Sequence, residues 1–294
     1  MRKKPIGFTA RLEHSVQLLQ KAEKLALQYS PEGFYLAFSG GKDSQAVFHL
    51  CKLAGVRFQP YFNQTTLEPP ELIHFVKRQY PSTIFLRPRI TFAKLCIRKK
   101  MLPTRKMRFC CKEFREICGA GYVVLTGVRK KESVRRRSRE EIEVISRNEN
   151  RNFRGTKKEF YRHQRLAEMQ AVDCVFGKDR IVMNPIVYWS EADVWYFLNE
   201  IVRVEHCSLY DAGWKRIGCL FCPMSSKAEI AREIVEFPRY HALILRTIKR
   251  LREVGFLSRY PELTSEQIFD WWQSKQNFAS WLMENSSEDV DLPL

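Results

Sequence analysis

The chain is predicted to be α/β: a mostly parallel five-stranded sheet with flanking helices and a C-terminal helical extension. Three observations carry this. Short apolar runs alternate with amphipathic stretches between residues 10 and 195, the pattern of right-handed βαβ crossovers. A glycine-rich turn, Ser39-Gly40-Gly41-Lys42-Asp43-Ser44, joins the first apolar run to the stretch after it. Beyond Met224 the pattern is helical throughout.

Taken in order, Leu12, Val16, Leu19, Ala22, Leu25 and Ala26 recur at helical spacing and place an amphipathic helix over 10–29. Phe34 to Phe38 is short and apolar and reads as a buried strand. The helix after the glycine turn runs to about Ala54, where Gly55 stops it. A second strand fits Arg57 to Asn63, and a helix opened by Pro69 runs to Gln79. Further strands fit Thr83 to Leu86, Tyr122 to Thr126 and Ile181 to Asn184. Ser190 caps a helix, with Asp193 completing the capping box. The stretch 139–178 is polar and without period, and reads as an insertion or mobile loop. The expected organisation is an N-terminal helix over 1–30, a nucleotide-binding domain over 31–225 and a helical extension over 226–294. Trp271, Trp272 and Trp281 in that extension read as packing residues.

Hydrophobic residues make up 45% of the 294, enough for a sizeable core. No apolar run approaches the ~20 residues of a membrane span. The basic start, Met1 to Pro5, is followed by no secretory h-region, so the expected compartment is the cytoplasm and no membrane partner is expected. Nine cysteines there point to metal or redox chemistry rather than to disulfides. Lys and Arg number 50 against 33 Asp and Glu, a net charge of +17. Fifteen of those cations lie between Arg98 and Arg139, against Glu113, Glu116 and Glu132. A solvated basic face is the plain reading of such a run; a polyanionic partner such as nucleic acid is the sharper one.

A strand, two glycines, a lysine and a helix in that order suit a phosphate. Glycines admit close backbone approach, and the helix start offers free N–H groups and a positive dipole end. Lys42 adds charge, the Ser39 and Ser44 hydroxyls can donate, and Asp43 can orient the turn or hold Mg2+ through water. The spacing is not that of a Walker loop. Cys110-Cys111 and Cys219-Leu220-Phe221-Cys222 are two thiol pairs about a hundred residues apart. Four thiolates suit Zn2+ or an iron–sulfur cluster. Adjacent cysteines sit awkwardly on one tetrahedral ion, which favours the cluster. Cys51 and Cys96 read as small buried hydrophobes. Cys118 and Cys174 carry no assignment, and Cys207 is a spare ligand or sulfur-carrier candidate.

Ser-Gly-Gly-Lys-Asp-Ser after a first strand resembles the PP-loop of the ATP pyrophosphatases and the phosphoadenosine phosphosulfate (PAPS) reductase superfamily. So do Thr65 to Glu71, Thr126 to Ser133 with Arg135 to Arg137 behind it, Asn184 to Ile186, Trp189 to Trp195, and Leu209 to Cys219. The resemblance implies a Rossmann-like, adenine nucleotide alpha hydrolase-like fold. It implies ATP cleaved to pyrophosphate and an adenylated acceptor. It places Ser39, Gly40, Gly41, Lys42, Asp43, Ser44, Thr65, Gly127, Arg129 and Arg135 at the nucleotide, with Lys42, Asp43 and Arg129 catalytic. Cys110, Cys111, Cys219 and Cys222 match the four-cysteine [4Fe–4S] arrangement of adenylyl-sulfate reductases and DNA-phosphorothioating relatives. In true sulfonucleotide reductases a nucleophilic cysteine lies near the C-terminus; here none follows Cys222. Those reductases also degrade the loop, which this chain keeps whole. The features therefore resemble the sulfur-inserting branch most. The expected activity is an ATP pyrophosphatase-type sulfurtransferase that adenylates DNA or tRNA. Sulfur would come from the cluster or from a persulfide donor such as a cysteine desulfurase. A sulfonucleotide reductase, and a nucleotide- or nucleic-acid-binding module with a structural cluster, are the alternatives.

Overall fold

The computed structural model describes residues 3–116, 119, 121–145 and 180–285. Two compact units emerge, each assembled from separated stretches of chain. The first comprises Met1–Asn63, Pro70–Leu86 and Ile117–Ile217; the second comprises Gln64–Pro69, Arg87–Glu116 and Gly218–Leu294.

The first unit holds the sheet. Its strands are β1 (Phe34–Ala37), β2 (Phe58–Asn63), β3 (Ile84–Leu86), β4 (Val123–Leu125), β5 (Ile142–Ile145) and β6 (Arg180–Met183), in the order β3-β2-β1-β4-β6-β5. All neighbours run parallel except β5 against β6. The register sets Phe34 beside Phe58 and Tyr35 beside Val124. The chain steps outward from β1 to β3, then returns to lay β4 on the other side of β1. This reversal opens a crevice at the carboxyl ends of β1 and β4, where open α/β sheets bind ligands.

The helices of this unit are α1 (Phe8–Tyr29), α2 (Lys42–Ala54) and α3 (Pro70–Gln79). α2 stops at Gly55, as the sequence indicates. α1 buries Phe8, Leu19 and Ala26 and packs on α2. Two polar contacts fix it further: Ser15 donates to the Pro185 carbonyl at 2.6 Å and accepts from Trp189 Nε1 at 3.0 Å.

Among the described residues the sheet has six strands rather than five. β5 lies inside the stretch read as an insertion, and that part of the reading is corrected. Its Ile142-Glu143-Val144-Ile145 alternation is brief, sits among charges, and pairs with a strand nearly forty residues further on. The rest of that stretch, 146–178, lies outside the described residues, as do Cys118 and Cys174.

The second unit is helical. α4 (Phe92–Lys99) and α5 (Phe109–Cys111), which continues as a π-type turn over Lys112–Glu116, precede β4 in the chain. The first unit adds α6 (Glu191–Tyr196), whose capping box is Ser190 with Asp193, as expected. The second unit then adds α7 (Lys227–Glu236), α8 (Pro238–Glu253), α9 (Ser265–Ser274) and α10 (Phe278–Asn285). Their starts are set by capping boxes, Ser226 with Glu229 and Thr264 with Gln267, and by Pro238. Ile244, Ile248, Ile268 and Phe269 form their core, and Trp272 and Trp281 are buried beside it, in the packing role the sequence suggests. Among the described residues, no helix is long and apolar enough to cross a membrane.

Candidate functional site

The glycine turn leaves β1 and enters α2. Gly40 has φ +71, and a Cβ there would meet Val76 Cγ2 at 2.4 Å and Leu72 Cδ1 at 2.8 Å, so glycine alone fits. The turn is braced internally. The Ser39 amide donates to Ser44 Oγ at 3.2 Å, and Ser44 Oγ donates to the Gly41 carbonyl at 2.8 Å. Lys42 is buried at the first position of α2. Its Nζ lies 3.5 Å from Asp43 Oδ2 and 3.6 Å from Glu191 Oε1. Its backbone N–H donates to the Tyr210 hydroxyl at 2.9 Å. Burial, the largest influence, holds the Tyr210 phenol well above its ordinary range, so it stays neutral.

The segment after β4 closes on this turn. Gly127 approaches so closely that a Cβ would lie 2.9 Å from the Asp43 carbonyl carbon. Arg129, almost wholly buried, donates from Nε to Asp43 Oδ1 at 2.7 Å. Residues on either side of the β5–β6 pair pin this segment. Thr126 bonds the buried Asn184, the Asn184 Nδ2 donates to the Glu140 carbonyl at 2.7 Å, and the Lys130 amide donates to the Val187 carbonyl at 2.8 Å. Arg136 pairs with Glu132. Burial lowers its guanidinium most; Glu132 and Asp43 pull it up, and Arg216 pushes it down. Lys42, Arg129, Arg136 and Arg216 thus lie about Asp43, Glu132 and Glu191. A charge set of this kind, beside the start of α2, suits a polyphosphate.

Ser39, Gly40, Gly41, Lys42, Asp43, Ser44, Gly127 and Arg129 come together at this turn. The side chain of Arg135 lies outside those described. Thr65 belongs to the second unit. Its Oγ1 lies 3.2 Å from Cys219 Sγ and donates to Glu68 Oε1 at 2.6 Å. Sequence reasoning missed Tyr210, Glu191, Arg136 and Arg216. All four fall within the family-like stretches, but nothing in their spacing marks their partners.

In the second unit the two thiol pairs meet. Cys110 interacts with Cys111, Cys219 and Cys222. Its hydrogen bond with Cys111, then burial, then the neighbouring thiols push it far up. Burial raises Cys219 to about 11, against the opposing pull of Arg115, whose Nη2 donates to its sulfur at 3.1 Å. Arg115 also lies 3.9 Å from Glu68, and Cys219 in turn raises the Arg115 guanidinium most. Cys110, raised by the three other thiols, ionises only beside a cationic, thiophilic group, and that chemistry fits metal or cluster binding. Among the described residues, no group of three or more His, Cys, Asp or Glu side chains is set to hold a metal ion. Cys51 and Cys96 are fully buried and their thiols are raised by burial, consistent with packing roles. Cys207 is fully buried in the first unit.

The C-x-x-C turn is clamped. Phe221 adopts φ 54. Its N–H donates to the buried Glu233 carboxyl, and its carbonyl accepts from Gln273 Nε2 at 3.3 Å. Burial, chiefly, raises Glu233 to about 7. The neighbouring Leu220 amide donates to the Leu67 carbonyl at 2.8 Å.

Two uncharacterized proteins of Methanocaldococcus jannaschii are similar to this chain. One is 26% identical over 219 residues, 73% of this chain and 47% of its own length. The other is 30% identical over 219 residues, 69% of this chain and 39% of its own length. The chain therefore spans less than half the length of these relatives. A solved phosphoadenylyl-sulfate (PAPS) reductase from Candida auris, a phosphate complex, is similar at 16% identity and a TM-score of 0.43, over 76% of this chain and 98% of that one. Residues 33–225, which carry the sheet, the glycine turn and all four cysteines, match the phosphoadenosine phosphosulfate reductase domain, and the chain belongs to that family.

Proposed function

We propose that this chain is a PP-loop ATP pyrophosphatase that adenylates a nucleic acid, DNA or tRNA, and supports sulfur transfer to it. The observation that carries the reading is the Asp43 carboxylate gripped by Arg129 at the start of α2, beside buried Lys42, in the crevice between β1 and β4. Residues Ser39 to Ser44 would cradle the pyrophosphate. Lys42, Arg129 and Arg135 would neutralise charge developing on the phosphates, and Asp43 would hold Mg2+ through water. An acceptor oxygen attacks the α-phosphorus and pyrophosphate leaves. The terminal sulfur of a persulfide donor then displaces AMP and leaves acceptor and donor joined through an S–S bond; a second thiol attacks the donor's sulfur, forms a disulfide with it and releases the thiolated acceptor.

Cys110, Cys111, Cys219 and Cys222 would hold a [4Fe–4S] cluster. When bound, a cluster supplies redox-active iron and sulfide. A cubane offers a separate iron to each thiolate, which suits an adjacent pair that a single ion does not. Arg115 and Thr65 temper the charge on Cys219. The exposed cations Arg105 and Lys106 would meet the acceptor's phosphates, with steep salt dependence.

Acceptor-dependent pyrophosphate release tests the reading. Lys42→Ala abolishes it and leaves the visible iron–sulfur spectrum intact, while Cys219→Ser bleaches that spectrum. Protein purified without oxygen that is colourless and carries zinc refutes the cluster. The family's own description favours a second reading, sulfonucleotide reduction, which sulfite release from PAPS or adenylyl sulfate would establish instead.

A further inference from the structure

The family match ends at residue 225, yet the cysteine site of the second unit is finished by residues beyond it. Phe221 sits in the middle of the C-x-x-C with left-handed backbone, a conformation unfavourable to a residue that bears a side chain. What fixes that peptide comes from two C-terminal helices. Glu233 of α7 accepts its N–H and Gln273 of α9 donates to its carbonyl. Both side chains are buried, at 3% and 6% exposure, so water does not replace either bond. The Phe221 ring is fixed as well, against Phe269 and His241, each centroid 5.8 Å away.

The same helices reach the other parts of the site. Lys275, just past α9, donates to the Ser225 carbonyl, three residues beyond Cys222. Trp272 Nε1 donates at 2.6 Å to the Pro103 carbonyl, on the segment that leads into Cys110-Cys111. Tyr240 of α8 donates at 2.9 Å to the carbonyl of Glu68, the residue whose carboxylate fixes Thr65 beside Cys219. The C-x-x-C turn, the Thr65–Glu68 segment and the segment that leads into Cys110-Cys111 are each bonded to residues 226–285.

We infer that the C-terminal helices are an obligatory wall of the cysteine site, with Glu233 and Gln273 the positioning residues that fix the turn carrying Cys219 and Cys222. This rests on the proposal that the four cysteines hold a cluster. Residues that orient ligands from behind commonly change metal affinity 10–100-fold when removed.

The test uses the full chain, purified without oxygen, as wild type and as Glu233→Ala, Glu233→Gln and Gln273→Leu. Iron and acid-labile sulfide per chain, visible absorbance and the rate of iron loss to a chelator are measured. Binding of an ATP analogue serves as the control for an intact first unit. Glu233→Ala and Gln273→Leu should release iron about tenfold faster or more with analogue binding unchanged. Glu233→Gln, which keeps an acceptor for the Phe221 N–H, should retain wild-type rates. Wild-type rates of iron loss in both Glu233→Ala and Gln273→Leu overturn the inference alone. A wild-type protein that carries no iron or sulfide overturns the cluster reading and the inference with it.

Discussion

Gly127→Ala isolates the contact on which the proposed nucleotide site depends. The added Cβ would stand 2.9 Å from the Asp43 carbonyl carbon, 3.0 Å from its Cβ and 3.1 Å from its oxygen. Ordinary van der Waals contact begins near 3.4 Å, so the two segments must part by about half an ångström. All three obstructing atoms belong to the first turn of α2, which cannot swing aside as a flexible side chain would. Overpacking of this kind costs roughly 1–3 kcal/mol. Moving the turn away also stretches the 2.7 Å bond from Arg129 to Asp43, and a hydrogen bond between charged groups contributes about 1.5–3 kcal/mol. Since 1.4 kcal/mol is tenfold in an equilibrium constant, affinity for a non-hydrolysable ATP analogue should fall about tenfold or more, read by titration calorimetry. Gly121→Ala is the control. Gly121 has φ +76 but open space where a Cβ would go, so alanine there lowers the melting temperature through backbone strain and leaves affinity alone. Wild-type affinity in Gly127→Ala would refute the assignment of this contact to nucleotide binding.

The same geometry fixes three further outcomes. Tyr210→Phe removes the acceptor of the Lys42 N–H, so a bound phosphate no longer competes with the phenol. Pyrophosphate should bind several-fold tighter in calorimetry, and weaker binding would show that the hydroxyl serves the ligand instead. Burial works to raise the Asp193 carboxyl, but bonds from Arg11 and Ser190 outweigh it and hold it below its ordinary 3.8. That stability is present above pH 3.8 and is lost as the pH falls through the depressed value. Arg11→Ala should therefore lower stability at pH 7 by about 1.5–3 kcal/mol, with a shallower acid limb in urea titrations. Glu233 is the opposite case. Its rise from 4.5 to about 7 corresponds to about 3 kcal/mol at most. This contribution is full below pH 4.5 and is lost as the pH climbs through 7. Glu233→Gln should flatten the stability profile across that window, and an unchanged slope would place the titrating group elsewhere.

The sheet was legible wherever a strand was apolar and bounded by glycine, proline or a cap. β1, β2, β4 and β6 fall within a residue or two of their expected limits. β5 escaped because an edge strand needs one apolar face only, and Ile142, Val144 and Ile145 are too few among charges to mark it. The glycine turn was legible because its chemistry is local, six consecutive residues between a strand and a helix. Thr65 shows where such reading stops. It lies just past the end of β2, and its neighbour Cys219 is 154 residues away in the chain, beyond the reach of any local pattern. Tyr210, Glu233 and Gln273 were invisible for the same reason: each acts through a partner's backbone amide or carbonyl, and a backbone leaves no letter in the sequence.

Backbone partners also decide how the proposed nucleotide site is held up. Arg129 can reach Asp43 because the turn carrying it is stapled to Asn184 and Val187, just past β6. Asn184, in turn, is satisfied by the carbonyl of Glu140, just before β5. The edge strand missing from the sequence reading is therefore part of the support for the arginine that the sequence did reveal. Truncating the Asn184 side chain removes an acceptor from Thr126 and a donor from Glu140 at a fully buried position, so its effect should appear at the nucleotide and not merely in the melting temperature. Asn184→Ala that melts lower yet binds the ATP analogue as wild type does would show that β4's turn holds its shape unaided.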